Sequence, residues 1–310
     1  MSDIIRTRRL SKAYQGIEAV SQVNMSVKRG EIYGFLGPNG AGKTTVMKML
    51  LNLIKPTEGE IELFGELLTP GVIEPLKRIG HIIETPVFYD RLTAERNLEL
   101  HGEYMGHYNP KAMREALDLV QLRGIEKKEV RQFSLGMKQR LGIARAISTR
   151  PELLILDEPI NGLDPAGIQE MRVLFKRLRD EFGMTVLISS HILAEIEQIA
   201  DTVGVIDGGR LIREVSMERI RKTQTQYIEI VTDDVARAAY VLENQLGLRN
   251  FKAMEGRIIR VYEANIQPIE ISKQLILQDV GVESINRRHD SLEEYFFQVI
   301  KGGDEHAASN

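Results

Sequence analysis

The segment 37–44, Gly-Pro-Asn-Gly-Ala-Gly-Lys-Thr, has the residue types and the spacing of a polyphosphate-binding loop. It matches the pattern G-x-x-x-x-G-K-[ST] at every fixed position. Glycines allow successive backbone N–H groups to point into one cavity, and Lys43 adds positive charge beside the N-terminus of the helix that follows. We therefore predict a ligand with two or three phosphates. The residues predicted to contact it are Gly37, Pro38, Asn39, Gly40, Ala41, Gly42, Lys43, Thr44 and Thr45.

Two carboxylates, Asp157 and Glu158, follow the apolar run 153–156. Asp157 is placed to hold Mg²⁺ opposite the hydroxyl of Thr44. Glu158 is placed to orient and deprotonate a water that attacks the terminal phosphate. An acidic turn with no catalytic role is the alternative, and the phosphate-binding loop makes that alternative a minor one.

A third segment, 133–140, precedes a helix that is predicted to end near Ile147. Ser134 is a favourable N-cap residue, and the free N–H groups of the first helical turn could bind an anion. A capped helix without a ligand is the alternative, and the residues alone do not decide between the two.

The elements around these segments predict an α/β fold. A strand over 31–36 and a helix over 46–54 flank the glycine-rich loop. Short strands precede residue 66, mostly helical sequence covers about 90–150, and a helix is predicted from His191 to about Ala200. The buried strands 153–156, 186–188 and 203–206 alternate with helices, which indicates a parallel sheet covered on both faces.

The character of the chain changes after about residue 225. Residues 226–300 alternate between strand-like and helical patterns, with helices predicted over 235–246 and 268–277. We predict a large α/β domain over 1–225, a small α/β accessory domain over 226–300 and a disordered tail over 301–310.

The composition argues against several other classes of protein. The chain has 310 residues, a net charge of −3 and no cysteine, so a cysteine-based metal site is excluded and no nucleic-acid partner is expected. No apolar run approaches the roughly 18–20 residues that cross a bilayer. If a membrane is involved, another chain must supply the spanning helices.

These segments together resemble the nucleotide-binding subunit of ATP-binding cassette (ABC) transporters over about residues 4–215. The matching features are Walker A (37–44), the LSGGQ signature (133–137), Walker B with its glutamate (153–158), the D-loop (161–164), the switch histidine His191, and Tyr14 as the aromatic residue that stacks on adenine.

The resemblance implies a P-loop NTPase fold of ABC type. That fold has a central, mainly parallel sheet, an N-terminal antiparallel β subdomain and a helical signature subdomain. It also implies a Mg²⁺-dependent ATPase in which Lys43, Glu158 and His191 are catalytic. Two subunits would pair head to tail, so that ATP contacts Ser134, Leu135, Gly136 and Met137 of the opposite chain. Such a subunit is cytoplasmic and lies on the inner face of the membrane through its permease partner.

Two departures from the family pattern point to a subgroup. Glu84 replaces the usual Q-loop glutamine, and Leu135 and Met137 replace a glycine and a glutamine of the signature. A carboxylate at position 84 can still bind Mg²⁺, which gives Thr44, Glu84 and Asp157 as the predicted ligands. At both places the residues resemble those of the ATPases of bacitracin and lantibiotic self-protection exporters. This resemblance implies export of an antimicrobial peptide and a role in antibiotic resistance.

The segment 86–89, which follows Glu84, has two interpretations. It either belongs to the core or lines a groove that receives a helix of the permease. Two other functions compete with transport: a soluble ABC-type ATPase that remodels a ribosome, DNA or an assembly complex, and a regulatory module that binds nucleotide without hydrolysis.

Overall fold

The computed structural model describes residues 2–69, 71–106, 108–223, 226–263 and 266–289. The chain divides into two compact units, Met1–Glu218 and Arg219–Asn310. The tail predicted for 301–310 lies outside the described residues.

The strands and helices of the first unit alternate from about the middle of the unit onward. They are β1 (Asp3–Tyr14), β2 (Ile17–Val23), β3 (Ser26–Lys28), β4 (Ile32–Leu36), α1 (Lys43–Leu50), β5 (Glu58–Leu63), β6 (Glu66–Leu67), β7 (Ile79–Ile82), α2 (Ala94–Tyr104), α3 (Pro110–Leu119), α4 (Leu135–Ile147), β8 (Leu153–Leu156), α5 (Pro165–Asp180), β9 (Thr185–Ser190), α6 (Leu193–Glu197), β10 (Thr202–Asp207) and β11 (Arg210–Ser216). Short 3₁₀ helices cover Glu74–Arg78 and Val130–Gln132, and α7 (Met217–Thr223) spans the boundary between the units.

The central sheet has the strand order β11-β10-β4-β9-β8-β7. All neighbouring strands are parallel except β11, which forms an antiparallel hairpin with β10. Every residue of β4, β8 and β9 is buried, as expected for parallel strands covered on both faces. The mainly parallel sheet predicted from the apolar runs is confirmed.

A second sheet near the N-terminus is antiparallel, with the order β2-β1-β5-β6 and with β3 also paired to β1. Its side chains share one core with α1 and β4, in which Ile5, Met47 and Phe35 are fully buried. This packing fixes the start of α1, and with it the glycine-rich loop, against the central sheet.

Three capped helices, α2, α3 and α4, lie in the region predicted to be helical. The side chain of Thr93 accepts a hydrogen bond from the backbone N–H of Arg96 at the start of α2, and Asn109 accepts from Lys111 and Ala112 at the start of α3. Because these caps satisfy free N–H groups of the first turn, they fix where each helix begins.

The predicted helix from His191 to Ala200 is shorter than expected. Only α6, Leu193–Glu197, is helical, and His191 precedes it. The hydroxyl of Ser190 accepts a hydrogen bond from the N–H of Ile192 at 2.9 Å, which holds this segment in a turn. Similarly, α1 ends at Leu50 rather than near residue 54, because the N–H groups of Leu53 and Ile54 turn back to the carbonyl of Lys48.

The second unit contains a β-α-β-β-α-β succession. Its elements are β12 (Gln226–Thr232), α8 (Val235–Asn244), β13 (Phe251–Met254), β14 (Ile258–Val261), α9 (Pro268–Leu277) and β15 (Val282–His289). The strand order is β13-β14-β12-β15, and all pairs are antiparallel. Ile230, Ile259 and Leu242 are fully buried in a core of its own. The sequence indicated both helices but neither β13 nor β15.

Within the described ranges, we find no helix that is both long enough and apolar enough to cross a bilayer.

Candidate active site

The glycine-rich loop connects the buried strand β4 to α1 and has the backbone that its glycines allow. Gly40 and Gly42 have φ values of 82° and 104°, in the left-handed region that favours glycine. Gly37 is needed for another reason: a Cβ there would lie 2.3 Å from the carbonyl oxygen of Ile206. The loop therefore depends on these glycines both for its curvature and for its close approach to β10.

Lys43, the first residue of α1, is almost fully buried in the loop. Its Nζ donates hydrogen bonds to the carbonyls of Gly37 at 2.7 Å and Pro38 at 3.1 Å. The same Nζ lies 3.4 Å from Oε1 of Glu158. A buried ammonium held by carbonyls and a carboxylate is positioned to transfer these contacts to the oxygens of a phosphate.

Thr44, Asp157 and Ser189 form a short hydrogen-bonded chain. The hydroxyl of Thr44 donates to Oδ2 of Asp157 at 2.8 Å, and the hydroxyl of Ser189 donates to Oδ1 at 2.6 Å. Asp157 and Ser189 come from the ends of the adjacent strands β8 and β9. Both oxygens of the carboxylate are thus oriented toward the start of α1 and the end of β9.

Glu158 lies between the lysine and the histidine predicted from the sequence. Its Oε2 is 2.9 Å from Nδ1 of His191, and its Oε1 faces Lys43. Glu158 has a φ of 48°, which is uncommon for a residue with a side chain. Its backbone N–H donates to the hydroxyl of Ser189 at 2.9 Å. The structure therefore brings Lys43, Glu158 and His191 together.

The signature residues begin α4. Ser134 is the N-cap, and its hydroxyl accepts a hydrogen bond from the N–H of Met137 at 3.2 Å. Leu135 is already in the helix and has no positive φ, so replacing glycine there carries no backbone penalty. Its side chain is 58% exposed and therefore available to a partner.

A cleft of about 420 Å³ lies between the start of α4 and the ends of β7 and β8. Glu84, Leu135, Asp157 and Glu158 all line it. Leu135 lies beside the D-loop residue Gly162, where an added Cβ would be only 3.1 Å from the Cδ2 of Leu135. The signature, the D-loop and three carboxylates therefore meet at one cleft.

Glu84 lies two residues beyond the end of β7, which pairs with β8 through Ile82 and Leu156. Its φ is 59°, and its carboxylate is 2.6 Å from Nζ of Lys48. Of the three predicted metal ligands, Thr44 and Asp157 are in contact, whereas Glu84 is paired with a lysine.

Tyr14 is the last residue of β1, and 46% of its surface is exposed. Nζ of Lys12 lies 5.1 Å from the centre of its ring. The ring therefore has the exposure that stacking on a base requires.

Sequence reasoning missed two polar residues of the site. Ser189 connects Asp157 to the backbone of Glu158, and the side chain of Gln139 donates to the carbonyl of Pro159 at 2.8 Å. Both are buried. A serine pair at the end of the apolar strand β9 was the available signal for Ser189, because that strand end lies at the same edge of the sheet as Asp157.

Comparison with known proteins identifies the fold and the family. A model described as "ABC transporter" matches residues 20–161. The chain is 60% identical over 302 residues to the uncharacterized ABC transporter ATP-binding protein YcbN of Bacillus subtilis, covering 97% of this chain and 98% of YcbN.

The chain belongs to the ATP-binding proteins of ABC transporters. Proteins of this family hydrolyse ATP, and this chain is an ATPase.

A second relative has a name that states its function. The bacitracin transport ATP-binding protein BcrA of Bacillus licheniformis is 47% identical over 303 residues, covering 98% of this chain and 99% of BcrA.

A solved structure extends the comparison to the nucleotide state of an ABC ATPase. The cassette MJ0796, described as a dimer in a post-hydrolysis state bound to ADP and Pi, superposes with a TM-score of 0.63 at 27% identity. It covers 69% of this chain and 98% of its own length. The P-loop ABC fold predicted from the sequence is thereby confirmed.

Proposed function

We propose that this ABC ATPase powers a separate transmembrane permease that exports an antimicrobial peptide of the bacitracin kind. The observation that carries the proposal is the similarity to BcrA, which spans 98% of the chain and so extends through both compact units. A likeness confined to the cassette would support ATP hydrolysis without indicating a cargo. The alternative of a soluble remodelling ATPase is not favoured by such a relative.

In this proposal Lys43 binds the β- and γ-phosphates. Its ammonium is already in the loop, at 2.7 Å and 3.1 Å from two carbonyls, and needs only to exchange acceptors. Backbone N–H groups of residues 39–45 would complete the phosphate contacts, and Tyr14 would stack on the adenine.

The proposed Mg²⁺ site consists of Thr44 and Asp157, with Glu84 as a further ligand. Oxygen donors from a hydroxyl and carboxylates fit this ion, which usually keeps several waters and uses phosphates as its other ligands. No cluster of three acidic or histidine side chains with metal-binding geometry is found among the described residues, and a site completed by phosphates does not require one. When bound, the ion would neutralise charge on the phosphates.

We assign the proton transfer to Glu158. Its carboxylate contacts Lys43 and His191 on its two sides. With Lys43 on the phosphates, Oε1 is free to accept a proton from the attacking water, while His191 holds Oε2 and faces the γ-phosphate.

The signature residues Ser134, Leu135, Gly136 and Met137 would act on the ATP of a second subunit. The exposed start of α4 presents its N–H groups and the positive end of its dipole to a γ-phosphate. ATP would then join two subunits, as a homodimer or with a paired ATPase subunit, and hydrolysis would separate them.

We propose that the permease docks at a cleft of about 380 Å³ beside the segment 86–89. Val87, Phe88, Leu100 and Tyr104 line it, and Val87 and Tyr104 are 80% and 78% exposed. Asn97, His101 and Arg145 line it as well, so the groove combines exposed apolar side chains with polar ones and suits a short amphipathic helix from another chain. Docking there would hold the ATPase on the inner face of the membrane.

In this proposal the chain has two functional domains, an ATPase domain over 1–225 and an accessory domain over 226–300.

The experiment is protection of a sensitive bacterium. The chain is coexpressed with a transmembrane permease that copurifies with it, and the minimal inhibitory concentration of bacitracin is measured. We expect protection by the wild type and none by Glu158→Gln at equal protein abundance. Unchanged sensitivity with the wild type, despite a folded complex and active ATPase, would contradict export of this class of peptide.

A further inference from the structure

The ion pair between Lys48 and Glu84 links the helix of the phosphate-binding loop to the segment after β7. Lys48 is four residues after Thr44 on α1, so the two side chains lie on the same face of the helix. The Nζ–Oε1 distance is 2.6 Å, and the two residues are 36 positions apart in the chain.

Glu84 adds a negative charge where negative charge is already concentrated. It lines the same cleft as Asp157 and Glu158, and the predicted ligand is a polyphosphate. Like charges at such short range raise the free energy of the bound state, particularly when no divalent ion is present. A carboxylate at position 84 therefore requires compensation that an uncharged side chain would not.

Lys48 is suited to provide that compensation and contributes little else. The side chains of Lys48 and Glu84 are 32% and 65% exposed. Exposed ion pairs add little to folding stability. The effect of this pair is consequently expected in the electrostatics of the cleft and not in the stability of the fold.

We propose that Lys48 is a positioning residue for Glu84, which holds its carboxylate at the edge of the cleft and offsets its charge against the phosphates of ATP. This inference rests on the proposed function, because it takes the cleft to be the nucleotide site. It explains how this chain accommodates glutamate at a position where the family usually has glutamine.

The test is a double-mutant cycle of Lys48→Met and Glu84→Gln, read out by nucleotide affinity. A fluorescent ATP analogue is titrated in EDTA and again in Mg²⁺, so that binding is measured without turnover. Lys77→Met is the control, because Lys77 forms an equally short but more exposed pair with Glu74, just before the opposite end of β7.

In EDTA, we expect Lys48→Met to weaken binding by about two- to five-fold, the range of an exposed ion pair. The loss should be smaller in the Glu84→Gln background, because only the part that comes from positioning Glu84 disappears there while the lost positive charge still weakens phosphate binding. It should also be smaller in Mg²⁺ and at high ionic strength. Lys48→Arg, which keeps the charge, and Lys77→Met should bind as the wild type does.

An equal loss from Lys48→Met in both backgrounds, or no loss in either, would overturn the role of Lys48 while leaving the proposed function intact. If the wild type itself does not bind the analogue, both the inference and the proposed function fail.

Discussion

At the scale of residues, the two glutamates that line the cleft at the start of α4 share an unusual backbone. Glu84 and Glu158 follow the neighbouring parallel strands β7 and β8, and their φ values are 59° and 48°. A left-handed conformation costs a residue with a side chain about 1–2 kcal/mol. Such strain persists only when surrounding contacts hold it, and here an ion pair holds Glu84 while Ser189 and His191 hold Glu158.

Ser189 is the residue whose removal should separate positioning from binding. It is fully buried and bonds both the carboxylate of Asp157 and the N–H of Glu158. We expect Ser189→Ala to lower kcat about ten-fold, because Glu158 loses its orientation, while the KM for ATP changes little.

The control for this variant is Ser148→Ala. Ser148 is also buried, but its hydroxyl donates to the carbonyl of Arg145 in the last turn of α4. Neither residue lines the cleft that contains Asp157 and Glu158. Steady-state ATPase assays of the two variants side by side decide the matter. Ser189→Ala with the kcat of the wild type would contradict a positioning role.

At the scale of elements, α4 connects three parts of the site. Its first residue follows the N-cap Ser134, Gln139 in its middle bonds the carbonyl of Pro159, and Arg145 near its end bonds the carbonyl of Val87 at 2.8 Å. One 13-residue helix therefore joins the signature, the loop after Glu158 and the cleft proposed for the permease. A shift of this helix would therefore change the positions of residues in all three regions.

The helix α2 carries a titratable residue, His101, that lines the cleft proposed for the permease. Burial lowers the pKa of His101 to about 4, and the positive charges of Arg145 and His81 add to the effect. Because the folded pKa lies below the unfolded value of about 6.5, the unfolded chain takes up a proton that the folded chain refuses between these pH values. Stability is therefore complete above about pH 6.5 and decreases as the pH falls toward 4.

We expect this group to cost the wild type about 1–2 kcal/mol of unfolding free energy between pH 7 and pH 4.5, after allowance for the partial exposure of the imidazole. His101→Gln should lose that part of the slope. Urea unfolding of both proteins at a series of pH values measures it, and parallel curves for the two proteins would show that His101 is not the titrating group.

The sequence predicts those elements whose signals are local. Asn109 and Asp164 cap helices that begin at the prolines after them, and the all-apolar β8 has the bounds read from the sequence. It does not predict contacts between distant segments. The Lys48–Glu84 pair, the short α6 and the edge strand β13, whose residues are largely exposed, depend on tertiary partners that no local pattern records.

At the scale of the whole molecule, the two units differ in which known proteins they resemble. The solved cassette MJ0796 covers 69% of the chain, whereas BcrA covers 98% and so includes the second unit. The family match at residues 20–161 lies within the first unit, so this unit carries the ATPase activity. The proposal of antimicrobial-peptide export depends on the likeness of the chain as a whole.

In the proposed dimer, ATP bound by the loop of one subunit is enclosed by the signature helix of another. The most direct test of this arrangement is the mass of Glu158→Gln in solution by light scattering, with ATP and Mg²⁺. We predict twice the protomer mass of 35.1 kDa with ATP, the protomer mass without it, and hydrolysis close to zero. Addition of Lys43→Ala should abolish the dimer. A protein that binds ATP but keeps the protomer mass, or a Glu158→Gln variant that turns over ATP like the wild type, would contradict the account.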